Sequence, residues 1–276
     1  MSFEDFPSPT GMSGLDVSQV ALDRVLSWIS AEIPVPVCSV STRPDSIRIS
    51  FTAPVTLPAP FVLGDDHGDC YSIRPIDALD VPVTEVQNHH SATVLRLGDL
   101  ASGPVAGSGY YKNLATIPAV AMVGHIDHRI AALRGLAFEL CGQSWSSSCR
   151  IVLAGWGNFG EKSSVFMARQ NRVLETVTSV TELVSEGIPK GPMIVFSSAT
   201  TGEEVDRFRA QAGDNAVLIT DGLPPATQPF PLALEVTVQG VAIVKPYGDV
   251  ITTPSLGPSH ELIRAIENTP LEGDER

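Results

Sequence analysis

Basic and aromatic residues are scarce in this chain of 276 residues. Lys and Arg number 18 against 31 Asp and Glu, a formal net charge of −13, and aromatics make up only 6%. A nucleic-acid surface needs a basic face to neutralise phosphates, so nucleic-acid binding is excluded as the expected role. Attraction to anionic membranes is disfavoured on the same ground. The four cysteines, Cys38, Cys70, Cys141 and Cys149, show no C-x-x-C spacing. That argues against a zinc site or a disulfide framework, and they are expected to behave as small buried hydrophobes. No apolar run approaches the roughly 18–20 residues of a membrane span, so direct membrane insertion is not expected. The opening MSFEDFPSPT has two acids and no basic n-region, so a secretory leader is not expected and the cytoplasm is the expected location. The G-x-S-x-G turn of a serine nucleophile is missing, as are internal repeats and heptads.

What is present suffices for a large core. Hydrophobic residues make up 43% of the chain, which excludes wholesale disorder, and 22 Pro and 23 Gly punctuate it. Residues 1–12 are polar and Pro-containing and are expected to form a loose tail. Leu15, Val20, Leu22, Val25, Leu26 and Ile29 fall near helical spacing, which predicts a helix to about Glu32, ended by Pro34 and Pro36. Val37–Ser41 and Ile47–Phe51 alternate apolar and polar around Arg43-Pro44-Asp45-Ser46, the pattern of a β-hairpin. Pro54, Pro58 and Pro60 mark a connector and an expected boundary near residue 60. A second hairpin is expected over Phe61–Ile73, a short strand over Ser91–Leu97 and a Gly/Ser-rich loop over Ala101–Gly109.

From Ile117 the pattern changes. Short apolar runs at Ala119–Val123, Ile151–Ala154, Met193–Phe196 and Ala216–Thr220 are separated by helical stretches. Such runs are strands buried on both faces, hence a mainly parallel sheet in a three-layer α/β unit. Arg172–Thr178 reads as a further strand and Val180–Ser185 as a short helix. Leu232–Val238, Val241–Val244 and Asp249–Ile251 read as short antiparallel strands after the unit. The expected organisation is a tail (1–12), a helix-plus-hairpin portion (13–60), an α/β domain (61–262) and an acidic tail (263–276).

Two glycine loops are candidates for holding a cofactor. In the first, Gly155, Gly157 and Gly160 fit G-x-G-x-x-G directly after the Ile151–Ala154 strand, with Lys162 and Ser163 following. That spacing lets backbone N–H groups approach a pyrophosphate. A dinucleotide site also needs a full helix next, for which the segment before Arg172 looks too short, and Glu175 lies mid-strand rather than at a strand end. As a phosphate loop, G-x-x-x-x-G-K-[ST], the stretch is broken by Glu161 ahead of Lys162. It reads best as a Gly-rich turn at a sheet edge. The second loop, Gly124–Arg129, occupies the strand-to-long-helix position proper to a phosphate loop. It has one glycine, no lysine and no Ser/Thr for Mg²⁺, and Asp127 offsets Arg129. His125 and His128, three apart, could share a metal with Asp127, but polar loop residues at a helix start are the simpler reading. His89-His90 would point to opposite faces of a strand and reads as surface. Asp221 stands where an acid could hold Mg²⁺, yet Asp-Gly after a strand is a common turn. Neither a catalytic residue nor a metal or cofactor is expected.

The order of segments carries a resemblance. It runs Ala21-Leu-Asp-Arg-Val-Leu, Asp45-Ser-Ile-Arg-Ile-Ser-Phe-Thr-Ala-Pro, Val62-Leu-Gly-Asp-Asp-His-Gly, Leu95-Arg-Leu-Gly-Asp-Leu-Ala-Ser-Gly-Pro and Arg150-Ile-Val-Leu-Ala-Gly-Trp-Gly. From about residue 20 to 245 the pattern resembles the cytosolic middle region of large actinobacterial membrane-anchored proteins. Those often carry LysM peptidoglycan-binding and bacterial transcriptional activator (BTAD-type) domains. The resemblance implies a degenerate relative of the FtsK/SpoIIIE-type P-loop ATPases, in which Gly124–Arg129 matches a phosphate loop that has lost its lysine. The expected function is a non-enzymatic interaction or scaffold domain with a protein partner. The alternatives are a nucleotide-binding protein or weak NTPase, and a subunit of a secretion or conjugation assembly. Oligomeric state is not legible.

Overall fold

A computed structural model describes residues 17–82, 92–100, 108–115, 117–213, 216–237, 241–245, 249–252 and 260–271. The expected tail over 1–12 and the His89-His90 pair lie outside these residues.

The N-terminal helix forms as the apolar spacing requires. Helix α1 (Val17–Glu32) buries Ala21, Leu22, Val25, Leu26 and Ile29 in one stripe. The stripe covers an antiparallel sheet built from β1 (Val37–Thr42), β2 (Ile47–Phe51), β3 (Val62–Leu63) and β4 (Cys70–Ile73). Strands β5 (Val94–Leu100) and β6 (Gly109–Asn113) belong to it too. β6 had no sequence signal, because its alternation, Gly-Tyr-Tyr-Lys-Asn, lacks aliphatic residues. The three prolines of the connector do not end this unit: β4 pairs with β2 across it, and the short helix α2 (Pro75–Ala78) packs against α1. Both expected hairpins are present.

The second unit is layered. Its strands are β7 (Ala119–Gly124), β8 (Arg150–Ala154), β9 (Glu175–Val177), β10 (Met193–Ser197), β11 (Ala216–Thr220) and β12 (Leu232–Val236). They run parallel in the order β12-β7-β11-β10-β8-β9. Connecting helices are α3 (Ile126–Gly142), α4 (Gly157–Ala168), α5 (Val180–Glu186) and α6 (Gly202–Gln211). α3 and α4 contribute Leu133, Leu136, Ala137, Leu140 and Met167 to the core on one face. α5 and α6 contribute Val180, Leu183, Val205 and Phe208 to the core on the other. The α/β class with a parallel sheet is therefore as the apolar runs implied.

Leu232–Val236 differs from its reading as an antiparallel strand after the unit. It is parallel to β7 and extends the sheet, and only its other side pairs antiparallel, with β13 (Val241–Lys245). β13 pairs with β14 (Asp249–Thr252), and β14 with β5, so one continuous sheet of 14 strands joins the two units. The end of the chain also differs. Residues 263–267 of the expected acidic tail (263–276) lie in helix α7 (His260–Glu267), which packs on α4 and buries Ile266, and residues 272–276 lie outside the described residues. No helix among the described residues is long and apolar enough to cross a membrane.

Candidate functional site

In an open parallel sheet, ligands bind outside the carboxyl ends of strands whose connections leave on opposite faces. Here β8 feeds α4 on one face and its neighbour β10 feeds α6 on the other, which places the first glycine loop at such a point. Two loops meet closely there. Gly155 has φ +76°, and a Cβ there would lie 2.7 Å from the carbonyl oxygen of Ser198. The Ser198 N–H donates to Ala154 O at 3.0 Å, and the Gly155 N–H donates to Val177 O at 3.1 Å. This glycine allows a close contact between two loops.

The rest of the motif is absorbed into a helix. The expected short turn is α4, which begins at Gly157 and runs for 12 residues. Glycines at a helix start carry the local pattern of a turn, so the count of residues before Arg172 falls short of this helix. Gly160 lies within α4 and packs against Trp156 and Thr176. The Ser163 hydroxyl donates back to Phe159 O at 2.6 Å. The Lys162 Nζ donates to the carbonyl oxygen of Glu267 at 2.6 Å, at the C-terminal end of α7. Five residues into α4, it satisfies the last carbonyls of another helix, where a cation also complements the dipole. Glu175, expected mid-strand, is the first residue of β9 and forms a two-pronged pair with Arg150, Nε to Oε1 being 2.6 Å.

The second loop has the placement of a phosphate loop without its parts. Gly124 has φ +126°, and a Cβ there would lie 2.2 Å from Val236 O, so the loop is pressed against the end of β12. Arg129 Nη1 donates to Gly124 O at 3.2 Å. The guanidinium also lies against Gly222, whose Cβ position would be 3.9 Å from it, so the one cation spans the corner between β7 and β11. Asp127 does not offset Arg129 directly. It meets His125, with Nδ1 to Oδ2 at 3.5 Å, and the His125 and His128 rings stand edge to face at 5.6 Å. Among the described residues, no three His, Cys, Asp or Glu side chains are grouped as metal ligands would be.

Asp221, weighed as a magnesium acid, has a structural task. Its Oδ1 accepts from the Ala199 N–H at 3.0 Å and its Oδ2 from the Ser198 hydroxyl at 3.3 Å. Ala199 adopts φ +58°, a left-handed conformation costly for a side chain, and the aspartate holds it there. The next residues cap α6: Thr201 and Glu204 form a reciprocal capping box, and Glu204 Oε1 accepts from Thr181 at the start of α5. Glu204 is desolvated, but hydrogen bonds from Thr201 and Thr181 outweigh this and hold its carboxyl below the usual range. No sequence signal marked Ala199, since alanine carries none for positive φ. The cysteines are free, with Cys38 partly exposed and the others buried. Burial pushes the Cys141 and Cys149 thiols up to about 12.

No family model and no curated protein matches the sequence. Two solved structures are similar to it at low level. One is ATPases 2 and 3 of Thermomonospora curvata EccC in complex with a signal sequence peptide. It is 11% identical, with 61% of this chain and 41% of that one covered and a TM-score of 0.40. The other is the cytoplasmic domain of the Thermomonospora curvata type VII secretion ATPase EccC. It is 13% identical, with 62% and 27% covered and a TM-score of 0.40. The chain thus spans less than half the length of either.

Proposed function

We propose that this chain is a non-enzymatic protein-interaction domain built on a P-loop-like α/β frame whose phosphate corner has been put to structural use. The observation that carries the reading is the destination of the cations. Lys162 caps α7, and Arg129 closes onto Gly124 O and Gly222, so each basic group of the two glycine loops is engaged within the fold. A triphosphate needs uncompensated positive charge and open backbone N–H groups at one point. The close approaches at Gly124 and Gly155 support a loop system filled by the chain itself. A place in a secretion assembly, and the LysM and activator-type context that the resemblance implies, belong to this proposal as its setting.

The test is capture from the native cell by in-cell crosslinking, with phosphate release from MgATP measured on the purified chain. A stoichiometric complex with another polypeptide, and phosphate release no greater than the blank, are expected. Phosphate release abolished by Arg129→Ala would overturn the reading in favour of a weak NTPase.

A further inference from the structure

The outer edge of the antiparallel unit is unusually apolar for an edge. Strand β3 ends the sheet order, and both of its residues are exposed, Val62 at 62% and Leu63 at 51%. Ile76, four residues beyond the partner position Ser72, is 62% exposed. These are three of the six large hydrophobic residues most exposed among the described ones. Natural edges are normally blunted by charge or proline because a bare edge invites another strand.

The main chain is poised in the same direction. Gly64 N–H donates to Cys70 O at 2.8 Å, so the 64/70 pair is hydrogen-bonded. Antiparallel pairs alternate, so the 62/72 pair is bonded too and the 63/71 pair is not. The N–H and C=O of Leu63 therefore face away from β4, at the open edge. Tyr71 turns its main chain to β2 instead, as the bonded 51/69 pair on that side requires.

The charge around this edge has one sign. Between residues 53 and 80 stand Asp65, Asp66, Asp69, Asp77 and Asp80 against Arg74 alone, with His67. Arg74 is itself held by Asp77, Nε to Oδ2 being 2.6 Å. Arg48 is one strand further in, with Nε 2.8 Å from Cys70 Sγ. Asp66 and Asp80 are exposed. A second copy of the chain is a poor occupant, since it would bring the same acidic rim and another −13.

We infer that the β3 edge binds an extended segment of a partner protein by strand addition, the segment alternating apolar residues with Lys or Arg. Leu63 supplies two main-chain hydrogen bonds and its side chain meets the apolar residues of the added segment on one face of the sheet, while the cations on the other face are drawn by the aspartates. This rests on the reading of the chain as an interaction domain and names the kind of partner.

The probe is a fluorescein-labelled peptide alternating valine and lysine, followed by polarisation, with a valine–glutamate peptide as control. Leu63→Pro removes the outward N–H without removing a β3–β4 bond. Asp66→Lys with Asp80→Lys inverts the exposed charge. Expected are binding of the lysine peptide alone, loss of binding in Leu63→Pro, and at least about tenfold weakening in the charge variant, equivalent to 1.4 kcal/mol. Amide exchange on the wild-type chain, which needs no variant to fold, is expected to show peptide protection centred on residues 62–64. Absence of lysine-peptide binding, binding unchanged in folded Leu63→Pro, protection elsewhere, or a Leu63-dependent dimer in sedimentation would each overturn the inference. These results are independent of MgATP hydrolysis, so failure here leaves the interaction reading standing, and phosphate release sinks that reading alone.

Discussion

Lys162 Nζ lies 2.6 Å from the carbonyl oxygen of Glu267, a residue 105 positions further along the chain. The relationship joins two helices, α4 and α7. It also explains why α7 stays on the domain, together with the burial of Ile266. Lys162→Ala is expected to free the end of α7, raising amide exchange over 260–267 about tenfold. Because the contact is exposed, global stability should fall by only about 1 kcal/mol. Unchanged exchange over α7 would contradict the assigned role.

Gly124 admits no side chain, with Val236 O 2.2 Å from a Cβ position and φ at +126°. Gly124→Ala should therefore cost about 2 kcal/mol or more through overpacking and backbone strain. The check is urea unfolding of the variant. A neutral result would mean that the loop is not pressed against β12.

Asp221 acts on the β10–α6 loop. Asp221→Ala leaves the Ala199 N–H and the Ser198 hydroxyl without their acceptor and should cost about 1–2 kcal/mol. The loss should be the same with and without Mg²⁺ during the melt. A loss seen only with Mg²⁺ present would restore the magnesium reading.

Glu139 gives a pH signature. It sits with Arg96, whose Nη1 is 3.6 Å from its Oε1, and Arg96 also holds Asp99 at 2.7 Å. Burial raises the Glu139 carboxyl above its usual range, the Arg96 charge only partly opposing it, and burial lifts the nearby Tyr111 to about 12. The folded chain thus holds this proton more tightly than the unfolded chain. The resulting stability is present below the ordinary glutamate value and is lost as pH rises through the raised one. Melting temperatures of wild type minus Glu139→Gln should therefore be more positive near pH 4 than near pH 7. A flat or reversed difference would contradict the assignment.

Much of the frame was legible because it rests on periodicity. The α1 stripe, the two hairpins and the parallel strands buried on both faces each write themselves in local spacing. What was not legible depends on long-range contacts. Nothing near Lys162 indicates Glu267, and α7 had no signal beyond an acidic terminus. The joining of β14 to β5 links segments about 150 residues apart, which no local pattern records. At the glycine loops, composition shows one glycine and no lysine in Gly124–Arg129 and a glutamate ahead of Lys162 in the other. It paired Arg129 with Asp127, whereas the structure turns Arg129 to Gly124 O and Gly222 and leaves Asp127 to His125.

Close contacts of the chain itself occupy both glycine loops, which under the proposed function leaves MgATP no site. Thermal unfolding with and without millimolar MgATP tests it most directly, since a ligand that binds only the folded state must raise its stability. Superimposable transitions are expected for the wild-type chain. A rise in melting temperature that disappears in Arg129→Ala or Lys162→Ala would contradict it.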